Sequence, residues 1–211
     1  MSFIRTTAPA TADGDVAAMY RRQQATWGFV PNYAKVFSHR PALMARWAQL
    51  LTEIKRPMSL RRFELATFAA AHALHHGPCT LAHGRALRAF IDDAAIAAIA
   101  AGREADALDP AEQAIVRFAR QVARDASCIG AADIAALRAH GIDDAEVFDI
   151  AAAVAGRAFF TKLLDALGVL ADAPMTGLPP ALRAAITVGR PVDTAPPATM
   201  APIEPGDPHD A

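Results

Sequence analysis

Apolar residues recur three and four positions apart through most of the chain, and nowhere do they alternate with polar ones. That period predicts helices rather than strands. A first helix is expected over 14–26, after a polar start without periodicity, and Gly28 and Pro31 then turn the chain. "RPALMARWAQLLTEIK" follows, with Pro41 in its first turn and an apolar stripe of Leu43, Trp47, Leu50, Leu51 and Ile54, and Pro57 ends it. In "SLRRFELATFAAAHALHHG", Ser59 is the expected N-cap and Gly77 the expected residue just past the C-terminus. Pro78 then opens the next helix, "PCTLAHGRALRAF". A short helix ends at Gly102, Asp109 caps "PAEQAIVRFARQVARDAS", and "GAADIAALRAHG" and "DDAEVFDIAAAVAGRAFFTKLLDALGV" supply two more. The pattern defines an all-α protein with a single domain over residues 1–173.

From Pro174 the character changes. The last 38 residues hold 9 of the chain's 15 prolines, so 174–211 reads as an extended, proline-rich tail. Its apolar points, Leu178, Leu182, Ile186 and Val188, are expected to pack on the body or on a neighbouring subunit, with the last dozen residues loose.

Composition sharpens this picture. Hydrophobic residues make up 53% of the 211, but alanine dominates them and aromatics are only 7%. Such a core is thin per residue, so helices approach closely and subunits often share burial, which points to a homo-oligomer. A net charge of −1 gives no reason to expect a nucleic-acid partner. The start, "MSFIRTTAPATADGD", has no basic segment followed by an apolar one, and no stretch resembles an uncharged membrane span. Two cysteines make no disulfide framework, so a cytoplasmic protein with reduced thiols is expected, without a membrane partner and without a cofactor.

Candidate chemistry concentrates in "HALHHGPCTLAH", residues 72–83, which hold four of the seven histidines and one of the two cysteines. Cys79 falls at the second position of the helix expected from Pro78, where the positive end of the helix dipole favours thiolate. His83, at i+4, lies on the same face and can take up the thiol proton. Glu64, Phe68, His72 and His75 line one stripe of the preceding helix. Glu64 and His72 are about 12 Å apart along the axis, too far for a relay. Glu64 is therefore expected to meet a histidine of the following helix and to raise its basicity. Each of these residues also has a plain structural reading: a cysteine in an alanine-rich helix is most often a buried small hydrophobe, and Cys128, at a helix end, is read as structural. His72, His76, Cys79 and His83 form two i, i+4 pairs and offer an alternative metal site, although the helix break leaves their relative geometry open.

"RRFELATFAAAHALHHGPCTLAH" resembles the core motif of the carboxymuconolactone decarboxylase family, in its alkylhydroperoxidase D-like, peroxidase-related branch. That motif has Glu, then twelve residues later C-x-x-C, then x3-His. Glu64, Cys79 and His83 match the glutamate, the second cysteine and the histidine, and His76 stands in place of the first cysteine. The likeness extends over roughly residues 25–170. It implies an all-helical, oligomeric subunit with Cys79, His83, Glu64 and His76 as site residues. In dithiol members the glutamate and histidine help activate the thiol that attacks peroxide, and the paired cysteine closes a disulfide. With His76 present that dithiol cycle cannot run. Three outcomes stay open: a single-cysteine peroxidase acting on a small hydroperoxide, with His83 and His76 as proton carriers; a non-redox acid/base enzyme acting on a small lactone or carboxylic acid; or a metal-binding or non-catalytic oligomer.

Overall fold

The computed structural model describes residues 2–200 and contains ten α-helices among them. These are α1 (Gly14–Trp27), α2 (Asn32–Val36), α3 (Pro41–Lys55), α4 (Leu60–Ala73), α5 (Gly77–Leu87), α6 (Asp93–Ala100), α7 (Pro110–Asp125), α8 (Ala131–Arg138), α9 (Asp144–Ala166) and α10 (Pro180–Ile186). Two short parallel strands, β1 (Ala171–Asp172) and β2 (Val192–Asp193), are the only strands among the described residues. No helix of the described chain is long and apolar enough to cross a membrane.

Helix α4 forms the centre. From Phe63 to Ala73 every residue except His72 is buried, and α5, α7 and α9 pack around it. A helix apolar all round is a core helix, and its run of alanines lets three neighbours approach closely. Ser59 caps it as expected, its Oγ accepting from the Arg62 N–H at 3.3 Å, and Asp109 caps α7 through the Glu112 N–H at 2.8 Å.

The α4–α5 corner departs from the sequence reading. Leu74 ends α4, and the left-handed residue that follows is His75, with φ +56°, rather than Gly77. Gly77 is the first residue of α5 and His76 is its N-cap, so Cys79 stands third in the helix and not second. The need for glycine at 77 comes from the tail: a Cβ there would lie 2.6 Å from the Val188 carbonyl oxygen. Across the same seam Gly189 has φ +70°, and a Cβ on it would meet the His75 carbonyl oxygen at 1.9 Å. Helix α5 also ends earlier than expected, at Leu87.

The proline-rich segment folds back over the body. Leu178, Leu182 and Ile186 are buried, as their spacing suggested, while Val188 is only half-buried. Residues 180–186 are helical where the proline density predicted extended chain, because Pro179 and Pro180 occupy the N-cap and first turn, where no amide is needed. The tail then bridges to Val30 through the Ala198 carbonyl, and the Met200 N–H donates to Gln24 Oε1 at 2.6 Å. Residues 201–211, nearly all of the stretch expected to be loose, lie outside the described residues.

Asp172 ties this return to the body. Its two carboxylate oxygens accept the Asn32 N–H at 3.1 and 3.0 Å, and the Asn32 side chain donates to Asp193 Oδ2 at 3.1 Å. Burial pushes the Asp172 carboxyl up from 3.8 to about 6. The folded chain thus holds this proton more tightly than the unfolded one. The resulting stability is complete below the unfolded pKa and is lost as pH rises through about 6. Asp172→Asn is therefore expected to be more stable than the native chain at pH 8, by about 1–3 kcal/mol. The advantage should disappear near pH 4; urea denaturation at the two pH values checks it.

Candidate active site

Helix α3 buries less than its stripe suggested: Met44 is its buried residue, and Leu43 and Leu50 are 44% and 52% exposed. It nevertheless meets α9 closely, because Gly156 has no side chain; a Cβ there would come within 3.0 Å of Leu51. The approach lets the Trp47 indole N–H donate to the Gly156 carbonyl at 3.2 Å and stacks Trp47 on Phe160 at 4.1 Å between ring centroids. Tyr33 meets Phe160 edge-on at 5.5 Å, and its hydroxyl donates to Gln23 Oε1 at 2.6 Å. These groups, with Trp27, wall a cavity of about 330 Å³ whose polar lining includes Glu64, Cys79, His83 and Arg157. A chain with 7% aromatics thus places both of its tryptophans at one cavity.

The structure brings Glu64, Cys79 and His83 together and places them differently from His76. His83 Nδ1 is 2.6 Å from Glu64 Oε2 and 3.2 Å from Thr67 Oγ1. A carboxylate only accepts, and the Thr67 hydroxyl already donates to the Phe63 carbonyl at 2.7 Å. The network therefore assigns the proton to Nδ1 and leaves Nε2 with its lone pair. Burial, and then the positive charge of Arg157, push the His83 pKa down, while Glu64 pulls it partly back. The imidazole is neutral at pH 7 and able to accept a proton.

His76 is fully buried and caps α5, its Nδ1 accepting the Cys79 N–H at 3.2 Å. Its Nε2 has no partner, it does not line the cavity, and burial followed by the Arg157 charge lowers its pKa to about 3. An imidazole so placed is neutral at pH 7 and lies behind the cavity lining, where the sequence reading expected a proton carrier. His76→Asn, which preserves an acceptor at the cap, should leave thermal stability within about 1 kcal/mol of native, and His76→Ala should cost more. Melting curves of the two variants check this.

Arg157 was not picked out from the sequence. It is 6% exposed, and its Nη1 donates to Cys79 Sγ at 3.5 Å. Its guanidinium lies 5.6 Å from the Trp47 ring centroid and 5.9 Å from that of Phe160. No described carboxylate forms an ion pair with it, and its Nε has no acceptor. The one basic residue in "AAAVAGRAFF" was the available signal.

The thiol differs from expectation too. Burial is the dominant influence on Cys79 and pushes its pKa above the ordinary value, with Arg157 opposing. The α5 N-terminus does not decide its ionisation. The alternative metal set does not converge. His72 stacks near Phe68 at 6.2 Å and His76 is turned to its cap, and no group of three or more His, Cys, Asp or Glu among the described residues is placed to hold a metal ion. Cys128, read from the sequence as structural, is exposed and lies away from the cavity, its Sγ donating to Asp125 Oδ2 at 3.2 Å.

A helical bundle of this kind occurs in solved structures. An alkylhydroperoxidase AhpD core, an uncharacterized peroxidase-related protein from Ralstonia eutropha JMP134, superposes with TM-score 0.68 at 22% identity, over 83% of this chain and 94% of that one. An uncharacterized peroxidase-related protein from Silicibacter sp. TM1040 superposes with TM-score 0.72 at 19% identity and the same coverage. The debrominase Bmp8, as a cysteine-to-alanine variant in complex with 2,3,4-tribromopyrrole, superposes with TM-score 0.67 at 16% identity, over 83% of this chain and 96% of that one. The fold is therefore all-α and alkylhydroperoxidase D-like. Residues 41–121, from α3 into α7, match the model of the carboxymuconolactone decarboxylase family. No protein of curated function matches the chain.

Proposed function

We propose that the protein is a single-cysteine peroxidase that reduces a small organic hydroperoxide at Cys79. The observation that carries the reading is the thiol itself, held at the cavity beside the Arg157 guanidinium and sharing that cavity with the Glu64–His83 pair. His83 Nε2 takes up the thiol proton as the sulfur attacks the terminal peroxide oxygen. The O–O bond breaks, the alcohol leaves with a proton returned by His83, and Cys79 becomes a sulfenic acid. Two equivalents of an external thiol then reduce it, releasing water and a disulfide. His76 contributes the α5 cap. The subunits assemble as a homo-oligomer, which the exposed Leu43, Leu50 and Phe159 on α3 and α9 support, and the protein acts in the cytoplasm, which its two unpaired thiols support.

The test is to treat the reduced protein with an organic hydroperoxide and trap sulfenic acid with a dione reagent, reading the adduct by mass spectrometry. Modification of Cys79, and not of the exposed Cys128, supports the proposal; an unmodified Cys79 at complete peroxide excess ends it. A second reading has one observation in its favour, the burial that keeps Cys79 protonated. There His83 acts as a non-redox base on a small lactone or carboxylic acid. That reading requires Cys79→Ser to keep the activity and His83→Ala to lose it.

A further inference from the structure

Arg157 poses a problem that the thiol chemistry leaves unsolved. A guanidinium is always charged, and placing it 94% out of water costs several kcal/mol unless an anion meets it. Here the Trp47 and Phe160 rings offset part of that cost, but among the described residues the only hydrogen-bond acceptor it meets is the Cys79 sulfur. That sulfur is a neutral thiol at pH 7, because burial outweighs the pull of Arg157. The cation therefore has no ion-pair partner among the described residues on a face that lines open space, the Glu64 carboxylate of the same lining being engaged by His83.

The shape of that space narrows what supplies the charge. At about 330 Å³ it is at the small end of the range for small-molecule sites, room for a single ring and its substituents. Trp27, Tyr33, Trp47 and Phe160 present aromatic surface along its wall, which favours a flat, polarisable body over a flexible chain. We infer that the cavity binds a small aromatic carboxylate, its ring against the Trp47–Phe160 wall and its carboxylate on Arg157. The inference rests on the proposed function for the identity of the reacting group alone: the substrate is then an aryl acid carrying the hydroperoxide. Guanidinium and carboxylate neutralise each other in a poorly solvated site, and Arg157 acts as the specificity-determining residue.

Calorimetric titration of the full reduced chain at pH 7 with benzoate, benzamide and acetate separates the contributions. Benzoate should bind at least tenfold more tightly than benzamide, which keeps the ring and loses the charge, and at least tenfold more tightly than acetate, which keeps the charge and loses the ring. Arg157→Met should bring benzoate down to the level of benzamide, and Arg157→Lys should recover part of the difference. Cys79→Ser should bind benzoate as the native chain does, which shows that the thiol is not the anchor. Equal binding of benzoate and benzamide by the native chain, or no saturable benzoate binding below about 10 mM, overturns the inference. Because no step of this titration involves oxidation, benzoate binding without sulfenic acid at Cys79 would sink the peroxidase reading alone. Sulfenic acid without benzoate selectivity would sink this inference alone.

Discussion

Arg157→Met should melt at a higher temperature than the native chain while its Cys79 reacts more slowly with a small alkylating reagent. The two effects share one cause. The native guanidinium is buried beside a sulfur with no carboxylate within ion-pair reach among the described residues, so no ion pair offsets its burial in the folded state. Replacing such a group by an apolar side chain of similar length is neutral or stabilising, by about 1–4 kcal/mol in systems where it has been measured. Methionine also suits the site, lying against the aromatic rings that the guanidinium now covers. Arg157 is at the same time the one group that pulls the Cys79 pKa down against its burial. Without it the thiolate fraction at pH 7 falls, and alkylation should slow by about tenfold or more. Thermal melting and thiol titration on the same preparation check the pair. A variant that is both less stable and equally reactive would show that Arg157 is only a packing residue.

The sequence carried the fold and the pairing at the heart of the site for reasons that are local. Ser59 and Asp109 mark helix starts because a short oxygen side chain satisfies amides three residues on, which needs no knowledge of the tertiary structure. Glu64 and His83 could be paired because a helix break between them folds two consecutive helices against each other. The corner itself was misread because Gly77 is a glycine for a distant reason. The Val188 carbonyl approaches it from the tail, so the left-handed position falls on His75 instead. Arg157 was illegible for the same reason: it stands 78 positions from Cys79, and nothing in "AVAGRAFF" says which neighbour its guanidinium meets. The aromatic wall likewise draws on α1, α2, α3 and α9, whose residues come together only in the packed bundle.

Glu64→Gln should lower peroxide turnover by about 10²–10⁴-fold and move the acid limb of the pH profile to lower pH. Glu64 does two things for His83: it accepts the Nδ1 proton at 2.6 Å, fixing the tautomer with Nε2 free, and its charge raises the imidazole pKa. The glutamine amide can turn its NH2 group toward Nδ1, which favours the opposite tautomer and removes the lone pair from the side facing the cavity. This loss of the working tautomer accounts for most of the fall in rate. Loss of the negative charge acts in a different direction. The His83 pKa, already held down by burial and Arg157, drops further, so the imidazole stays deprotonated to lower pH but is a weaker base. A residue that merely filled space beside His83 would lower turnover without moving the limb. The pH dependence of peroxide consumption, measured for the native chain and for Glu64→Gln under the same external thiol, therefore separates orientation from packing. An unmoved acid limb in a variant that folds as the native chain does would remove Glu64 from the proton path.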